Sequence, residues 1–255
     1  MKFYFSALIL LFALPALMAQ TPQVRFVTSG TIEFEKTVNM YAVIKSDIDE
    51  KDVFDNMAFE AFKKNNPQFK KLKSTLAFTD NKSLYTPIVP EDVSRKMGDI
   101  FADQINTTYA DLNTHTTIIH KEIYGEPFLL KDSLRKIKWK ITDETREIAG
   151  YTCRRANGLI MDSVYVVAFY TNKIPVSGGP ESFNGLPGMI LGVALPHENM
   201  TWFATKVNDM PLPANAILPP KKGKPVNRKE LFDTLKDVMK NWGKSGPYEL
   251  KIFLL

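Results

Sequence analysis

Cysteine is almost absent from this chain of 255 residues, in which Cys153 is the only one. A lone cysteine cannot form a disulfide within its own chain, so no covalent cross-link of this kind holds the fold together. A catalytic thiol needs an activating base beside it, and a sequence alone does not reveal such a neighbour. We therefore expect the Cys153 side chain to be buried as a small apolar group.

Histidine is scarce, and the common catalytic and metal-binding motifs are missing. The three histidines are His115, His120 and His197. His115 and His120 are five residues apart, which places them on opposite faces of a regular strand. The chain has no His-Glu-x-x-His, Cys-x-x-Cys or calcium-loop pattern, no Gly-x-Ser-x-Gly turn and no Gly-x-x-x-x-Gly-Lys-Ser/Thr loop. We therefore predict no catalytic residue, no metal ligand and no cofactor.

Neither sign of charge is in large excess, since the formal net charge is +5 at pH 7. The lysines and arginines are spread along the chain and form no basic helix or arginine-rich stripe. Proteins that bind nucleic acid usually show such a feature. We predict no nucleic-acid partner.

A long apolar run that would cross a membrane as an ordinary helix is also missing. Residues 3–14 are apolar and follow Lys2, but the run is short and ends at Pro15. With the small residue Ala19, this pattern is typical of a secretory signal peptide over residues 1–19. We expect a mature chain that begins at Gln20, has no transmembrane segment, and resides in the periplasm or at the outer membrane.

Glycine and proline are concentrated in residues 174–193, which hold five of the thirteen glycines and three of the sixteen prolines. Proline fixes φ, and glycine permits positive φ and close backbone approach. The stretch is therefore neither a helix interior nor a continuous central strand. We interpret it as a bend that shapes the fold and carries no reactive group, with Gly188 at positive φ; neither Ser177 nor the Glu181-Ser182 pair fits a nucleophile turn. The positions that define this bend are Pro175, Gly179, Pro180, Gly185, Leu186, Pro187, Gly188, Ile190 and Leu191.

Alternation of apolar and polar residues predicts that most of residues 30–207 forms antiparallel strands. Two of the predicted strands, 145–156 and 164–171, are joined by an Asn157-Gly158 turn signal. The second of these is apolar on both faces, so we expect a helix over residues 48–64 to cover it. On one face of the first strand the pattern places Ile32, Phe34, Val38 and Met40.

Helical periodicity appears in two places. Residues 48–64 carry an apolar stripe that predicts a helix packed on the core, formed by Phe54, Met57, Ala58, Ala61 and Phe62. Asn227 and Glu230 form a capping-box pattern that starts a second helix, which ends at Gly243. The final apolar residues 248–255 predict a docked strand, or a strand offered to a partner's sheet.

These elements predict an α+β fold with a large curved antiparallel β-sheet, one or two helices packed on it and a C-terminal helix. The shape resembles the half-barrel of lipoprotein carriers such as LolA. The predicted divisions are a signal peptide (1–19), the sheet domain (20–210), a Pro- and Lys-rich linker (211–226), and a C-terminal helix with an apolar tail (227–255).

The segment Gly185-Leu-Pro-Gly-Met-Ile-Leu191 resembles the signature of the GLPGLI family, secreted proteins of the Bacteroidota with no established activity. The resemblance extends over residues 25–225 and includes Ile148-Ala-Gly-Tyr-Thr-Cys153 and Ala168-Phe-Tyr-Thr171. Met189 stands where leucine is usual, and Phe169 where tryptophan is common. The resemblance implies a secreted protein that accompanies outer-membrane transport systems, including TonB-dependent ones.

The preferred function is a non-enzymatic binding or accessory protein whose partner is an outer-membrane transport protein or an apolar small ligand. The candidate surface for this role consists of the aromatic residues Trp139, Tyr151, Phe169 and Trp202, for which core packing is the alternative. Two other functions stay open. One is a hydrolase or peptidase with a site assembled from distant strands, and the other is periplasmic metal handling through His197 and Cys153.

Overall fold

A computed structural model describes residues 26–89, 99–213, 215–243 and 245–255. The predicted signal peptide lies outside these ranges. Within them the strands are β1 (Gly30–Asn39), β2 (Phe69–Phe78), β3 (Lys82–Ile88), β4 (Asn106–Asp111), β5 (Thr116–Ile123), β6 (Glu126–Ser133), β7 (Lys140–Ile148), β8 (Tyr151–Ile160), β9 (Val164–Thr171), β10 (Met189–Leu195), β11 (Met200–Asp209) and β12 (Lys224–Val226). The helices are α1 (Met40–Asp47), α2 (Val53–Asn65), α3 (Asp99–Ala102), α4 (Arg228–Met239) and α5 (Ser245–Leu254).

All twelve of these strands belong to one sheet of order β12-β6-β5-β4-β3-β2-β1-β11-β10-β9-β8-β7. Neighbours are antiparallel except β12, which runs parallel to β6. The first strand lies near the middle because β1 pairs with β2 on one side and with β11 on the other. This arrangement confirms a mainly β protein of the α+β class with a large curved sheet. In the described part of the chain, no helix is long and apolar enough to cross a membrane.

Alternate residues of β1 form the buried inner face of the sheet, as the sequence pattern predicts. Ile32, Phe34 and Val38 are almost completely buried there, because successive side chains of a strand point to opposite faces. Helix α1 follows β1 directly and packs against β1 and β2. The main core therefore extends from the centre of the sheet to this helix.

A second apolar cluster lies where the last two helices meet β5, β6 and β12. Residues 211–226, predicted as a linker, end in β12 and so extend the sheet. Asn227 and Glu230 form the predicted capping box at the start of α4. The cluster contains Ile119, Ile123, Phe128, Leu130, Val226, Leu231, Leu235, Met239 and Phe253.

The prediction of a strand over residues 248–255 is wrong, because Ser245–Leu254 form helix α5. Pro247 lies in the first turn of this helix. The N–H groups of a first turn have no acceptor within the helix, so a proline is tolerated there. Ile252 and Phe253 are both buried. A short helix covered on most sides is apolar nearly all round, and its sequence then has the same appearance as a buried strand.

The predicted turn at Asn157-Gly158 is also wrong, because both residues lie inside β8. The chain reverses instead after β8, where Met161 and Asp162 both have positive φ (49° and 59°). The predicted strand over residues 145–156 is also wrong, because a turn at Ala149 and Gly150 divides it between β7 and β8. Gly158 is needed for close packing: a Cβ at this position would lie 2.9 Å from a ring carbon of Trp139. The glycine therefore makes room for an aromatic ring.

Helix α2 forms near the predicted place, but most of its predicted apolar stripe faces outward. Phe54 and Met57 are exposed, whereas Phe59 and Phe62 are buried. The helix packs against α1, where the Tyr41 ring contacts both buried phenylalanines edge to face, at 6.3 Å between ring centres. Contact with one neighbouring helix buries only a narrow stripe. The expectation that this helix covers β9 is not met, since α2 packs mainly on α1, which in turn packs on β1 and β2.

The glycine- and proline-rich stretch forms the bend between β9 and β10. Gly188 has φ of +149°, as predicted, and a Cβ there would lie 2.2 Å from the Thr171 carbonyl oxygen. The Met189 N–H donates to the Ile174 carbonyl oxygen at 2.9 Å. Trp139 Nε1 donates to the Asn184 carbonyl oxygen at 2.9 Å. The first of these hydrogen bonds joins the two ends of the bend, and the second joins the bend to Trp139, just before β7.

Candidate functional site

A cavity of about 700 Å³ lies on the inner face of the sheet, among the described residues of β1, β2, β3, α1, α2, α3, α5 and the bend. Its walls are apolar over much of their area, and several charged groups lie at its floor and edge. The apolar lining residues include Met40, Phe62, Leu72, Ile100 and Phe253. The polar lining residues include Lys36, Lys70, Ser74, Tyr85, Asp99, Asp103 and Glu181.

Lys36 occupies an inward position of β1, between the buried residues Phe34 and Val38. Its side chain is buried, with 4% of the residue exposed. The ammonium donates a hydrogen bond to the Ala102 carbonyl oxygen at 2.8 Å and lies 5.0 Å from the centre of the Trp202 ring. Burial lowers the pKa of Lys36, and the carboxylates of Glu181 and Asp103 oppose this change.

Glu181 enters the cavity from the bend and has an unusual backbone conformation. Its φ is +52°, a region that costs a residue other than glycine about 1 kcal/mol or more. The side chain is buried and accepts a hydrogen bond from Asn106 Nδ2 at 3.2 Å. Burial raises the pKa of Glu181, while Lys36 and Lys121 oppose the rise. Residues held under backbone strain are common at functional sites.

Tyr85 projects from β3 towards the Glu181 carboxyl group, whose charge acts on the Tyr85 hydroxyl. Burial, followed by the charge of Glu181, raises the pKa of Tyr85 well above its usual value; Ser74 and Trp202 oppose the rise. Ser74 Oγ and Trp202 Nε1 are both buried without a hydrogen-bond partner of good geometry in the described residues. Ser74 borders the cavity, so the floor contains a buried hydroxyl group without a well-formed hydrogen bond.

Lys121 is a second buried lysine near this floor, at an inward position of β5. Its ammonium donates to the Phe253 carbonyl oxygen at 3.1 Å, which ties the end of α5 to the sheet. Burial lowers the pKa of Lys121 to about 8. Arg135 reinforces the tie, because its Nη2 donates to the Leu254 carbonyl oxygen at 2.7 Å.

The edge of the cavity carries a compact group of opposite charges. Lys70 Nζ lies 2.7 Å from Asp99 Oδ1 and 2.8 Å from Asp103 Oδ2. The two aspartates lie at the start of α3 and just after its end. Both carboxylates lie within ion-pair distance of Lys70, so the edge is polar and its ammonium is paired.

The four aromatic residues predicted as a ligand or partner surface do not occupy equivalent positions. Trp202 lies against Lys36 at the floor of the cavity. Trp139 contacts the bend through Asn184, and Phe169 is buried with its ring centre 6.4 Å from that of Phe203. Tyr151 begins β8 and is half-buried. Of these four residues, Trp202 is the one that lies beside the charged groups of the cavity floor.

The site residues predicted from the sequence do not include Lys36, Ser74, Lys121 or Glu181. A signal for three of them exists: each interrupts an otherwise apolar inward face of a strand, as Lys36 does between Phe34 and Val38. A polar residue at such a position needs a partner or a ligand. Glu181 had no such signal, because its burial depends on a bend conformation that no local periodicity specifies.

Metal handling gains no support from the structure. Within the described ranges, no group of three or more His, Cys, Asp and Glu residues is arranged to hold a metal ion. Cys153 is buried, which confirms the expectation, and burial raises the pKa of its thiol to about 12. His197 is exposed.

A short part of the chain is similar to a family without assigned activity. The family described as "Protein of unknown function (Porph_ging)" matches residues 158–192, from β8 through the bend into β10. No curated protein matches the chain.

Two crystal forms of PNGF-II are similar to this chain, with identities of 16% and 15% and a TM-score of 0.49 for each. They cover 85% of this chain, and the chain spans about a third of PNGF-II (34% and 33%). An uncharacterized conserved protein from Thermus thermophilus is 7% identical, with a TM-score of 0.39, 80% of this chain covered and 92% of that chain. None of these similarities supports an inference about activity.

Proposed function

We propose that this protein is a secreted, non-enzymatic binding protein that holds a small apolar or amphipathic ligand in the cavity on the inner face of its sheet. The observation that carries the proposal is the convergence of Lys36, Tyr85 and Glu181 at the floor of a cavity with largely apolar walls. Small-molecule sites typically enclose about 300–1,000 Å³ and combine apolar walls with a few polar groups. The cavity has both properties.

The GLPGLI-like signature supports a secreted role. The matched family segment, residues 158–192, contains Gly185-Leu-Pro-Gly-Met-Ile-Leu191, and the first nineteen residues have the pattern of a signal peptide. We place the mature protein in the periplasm or at the outer membrane. There it acts as an accessory of a transport protein, including TonB-dependent systems, and presents its ligand from a half-barrel of the LolA type.

The direct experiment is to produce the full chain in a bacterial host with an outer membrane, fractionate the cells and purify the mature protein from the envelope under mild conditions. Native mass spectrometry should show a mature chain beginning at Gln20, with a small molecule bound that organic solvent releases. A chain retained in the cytoplasm contradicts the proposed location. Protein that stays ligand-free in the presence of envelope extract contradicts the proposed function.

A cavity-filling variant links the retained molecule to this site. Ile100→Trp places a larger side chain in the cavity wall and should abolish retention. Ile118→Trp is the matched control, because Ile118 lies on β5 outside the cavity lining. Equal retention by both variants would show that the molecule binds elsewhere.

A hydrolase is the second candidate, because Glu181 combines burial, a raised pKa and a strained backbone beside a tyrosine. These features are typical of acid–base catalysts. Turnover of peptides or esters by the purified protein, abolished in Glu181→Gln and retained in the exposed-site control Glu126→Gln, would favour this candidate. Absence of turnover across a broad panel would leave the binding role as the better account.

A further inference from the structure

The cavity floor contains a buried ammonium without a direct ion pair among the described residues, and this group indicates the chemistry of a ligand. Lys36 and Lys121 are both buried, with 4% and 3% of each residue exposed. The buried carboxyl group that acts on both is Glu181. An uncompensated buried charge is costly unless it is paired. Glu181 lies beyond ion-pair distance of Lys36, so the Lys36 ammonium at the cavity floor lacks a direct counter-ion among the described residues.

The contacts of Lys36 leave hydrogen-bonding capacity free. An ammonium has three N–H donors, and within the described residues Lys36 uses one of them, on the Ala102 carbonyl oxygen. Lys36 and Glu181 both border the cavity but form no direct ion pair within 4.0 Å. The Glu181 carboxylate therefore does not fill the space directly beside the Lys36 ammonium.

Two neighbouring features favour an anionic group in that space. Ser74 Oγ borders the cavity, is buried and has no hydrogen-bond partner of good geometry in the described part of the chain. Asp103 also attracts Lys36 through space, but its carboxylate is already paired with Lys70 at 2.7–2.8 Å. An incoming oxygen anion would thus find an ammonium and a hydroxyl group as donors.

The walls above the floor are suited to a hydrocarbon chain. Met40, Phe62, Leu72, Ile100 and Phe253 line the cavity, and each buried methylene group stabilises a complex by about 0.8 kcal/mol, or roughly fourfold in affinity. A polar ligand without an apolar body would leave this surface unused.

We propose, on the basis of the binding function above, that the ligand is an amphipathic monocarboxylic acid whose carboxylate binds between Lys36 and Ser74 and whose apolar chain lies along these walls. The carboxylate gives the Lys36 ammonium a direct counter-ion, which it lacks among the described residues. Glu181 limits the net charge that the floor presents, and so tunes the affinity for an anion. The apolar walls supply most of the binding free energy, and the floor supplies head-group selectivity.

The test compares three probes of equal chain length with different head groups: dodecanoate, dodecanol and dodecylamine. Isothermal titration calorimetry of the purified, delipidated mature protein at neutral pH should show tightest binding for dodecanoate, by about tenfold or more over dodecanol. Equal affinity for the alcohol, or tighter binding of the amine, overturns the carboxylate proposal and leaves the proposed binding function intact. If none of the three probes binds, both proposals are overturned.

Substitutions at the floor provide the second readout. Lys36→Met should weaken dodecanoate binding by about ten- to hundredfold and leave dodecanol binding nearly unchanged. Lys73→Met is the matched control, because Lys73 is a more exposed lysine at the same cavity, and should change dodecanoate affinity by less than about fivefold. Equal effects of the two substitutions overturn the proposal.

Glu181→Gln keeps the proposal testable if Lys36→Met does not fold. This variant removes the anionic neighbour of the head group and keeps the size of the side chain. It should bind dodecanoate more tightly than the unaltered protein, with dodecanol affinity unchanged. Weaker dodecanoate binding by this variant contradicts the assigned position of the carboxylate.

Discussion

Lys36 and Trp202 face each other across β1 and β11, and the Lys36 ammonium lies 5.0 Å from the centre of the indole ring. The register of the two strands sets this pair directly opposite. A cation over an aromatic face in a dry environment stabilises a fold by about 0.5–2 kcal/mol. The pair thus places the buried ammonium at the cavity floor and partly offsets the cost of burying it.

A double-mutant cycle measures this coupling. Lys36→Met and Trp202→Leu, alone and together, should give a coupling free energy of about 0.5–2 kcal/mol in urea unfolding. A control cycle with Lys36→Met and Leu186→Ala, a residue of the bend, should give a value near zero. Additive effects in the first cycle would show that the Lys36–Trp202 contact contributes nothing to stability.

Gly188 provides a test of the bend. Gly188→Ala places a Cβ 2.2 Å from the Thr171 carbonyl oxygen at a φ of +149°, and should lower the free energy of unfolding by at least about 1–3 kcal/mol. The control is Gly178→Ala in the same stretch, where the nearest atom to a new Cβ would lie at 3.5 Å. Thermal and urea unfolding of both variants check the difference, and equal stability would contradict the assigned conformation.

Glu249 gives the stability of the protein a defined pH dependence. Burial, followed by the nearby Asp47 carboxylate, raises the pKa of Glu249 from 4.5 to about 7 in the folded protein, where its carboxyl group contacts the Tyr124 hydroxyl. Between these two values the folded chain holds a proton that the unfolded chain has lost. The contribution of Glu249 to the free energy of unfolding is therefore largest at low pH and falls as the pH rises from 4.5 to 7.

Glu249→Gln should remove this part of the pH dependence. Urea unfolding at several pH values between 4.5 and 7, with the exposed-site variant Glu126→Gln as control, measures it. Unaltered and control proteins should share a slope that the Glu249 variant lacks. Identical slopes in all three proteins would show that Glu249 does not titrate in this range.

Ligand binding should also move a proton. Glu181 faces Lys36 on β1, Tyr85 on β3, Asn106 on β4 and Lys121 on β5. A second carboxylate on this floor raises the pKa of Glu181 further, so dodecanoate binding should be accompanied by proton uptake at any pH where Glu181 is ionised in the free protein. Calorimetry in buffers with different ionisation enthalpies measures the uptake. The Glu181→Gln variant should show none, and uptake that persists in this variant would assign the proton to another group.

Much of the sheet is predictable from the sequence because alternation is a local property. The inward set of β1, from Ile32 to Val38, and the capping box of Asn227 and Glu230 lie where the pattern places them. In each case neighbours within a few residues determine the outcome. The α+β class follows from the number of such strands.

The remaining features depend on contacts between distant residues. Gly158 forms part of a strand because the Trp139 ring packs over it, and residues 245–254 form a helix whose final carbonyl groups are bound by Lys121 and Arg135. The groups at and near the cavity floor come from five strands and the bend, and are separated by up to 166 positions between Lys36 and Trp202. No local pattern predicts that these residues come together. The inward lysines of β1 and β5, Lys36 and Lys121, indicate only that polar partners must lie beside them.

The most direct test of the account is a crystal structure of the mature protein with dodecanoate. We expect the carboxylate within hydrogen-bond distance of Lys36 Nζ and the chain along Met40, Phe62 and Ile100. Density for the ligand outside the cavity, or a cavity closed by the protein's own side chains, would contradict the central claim.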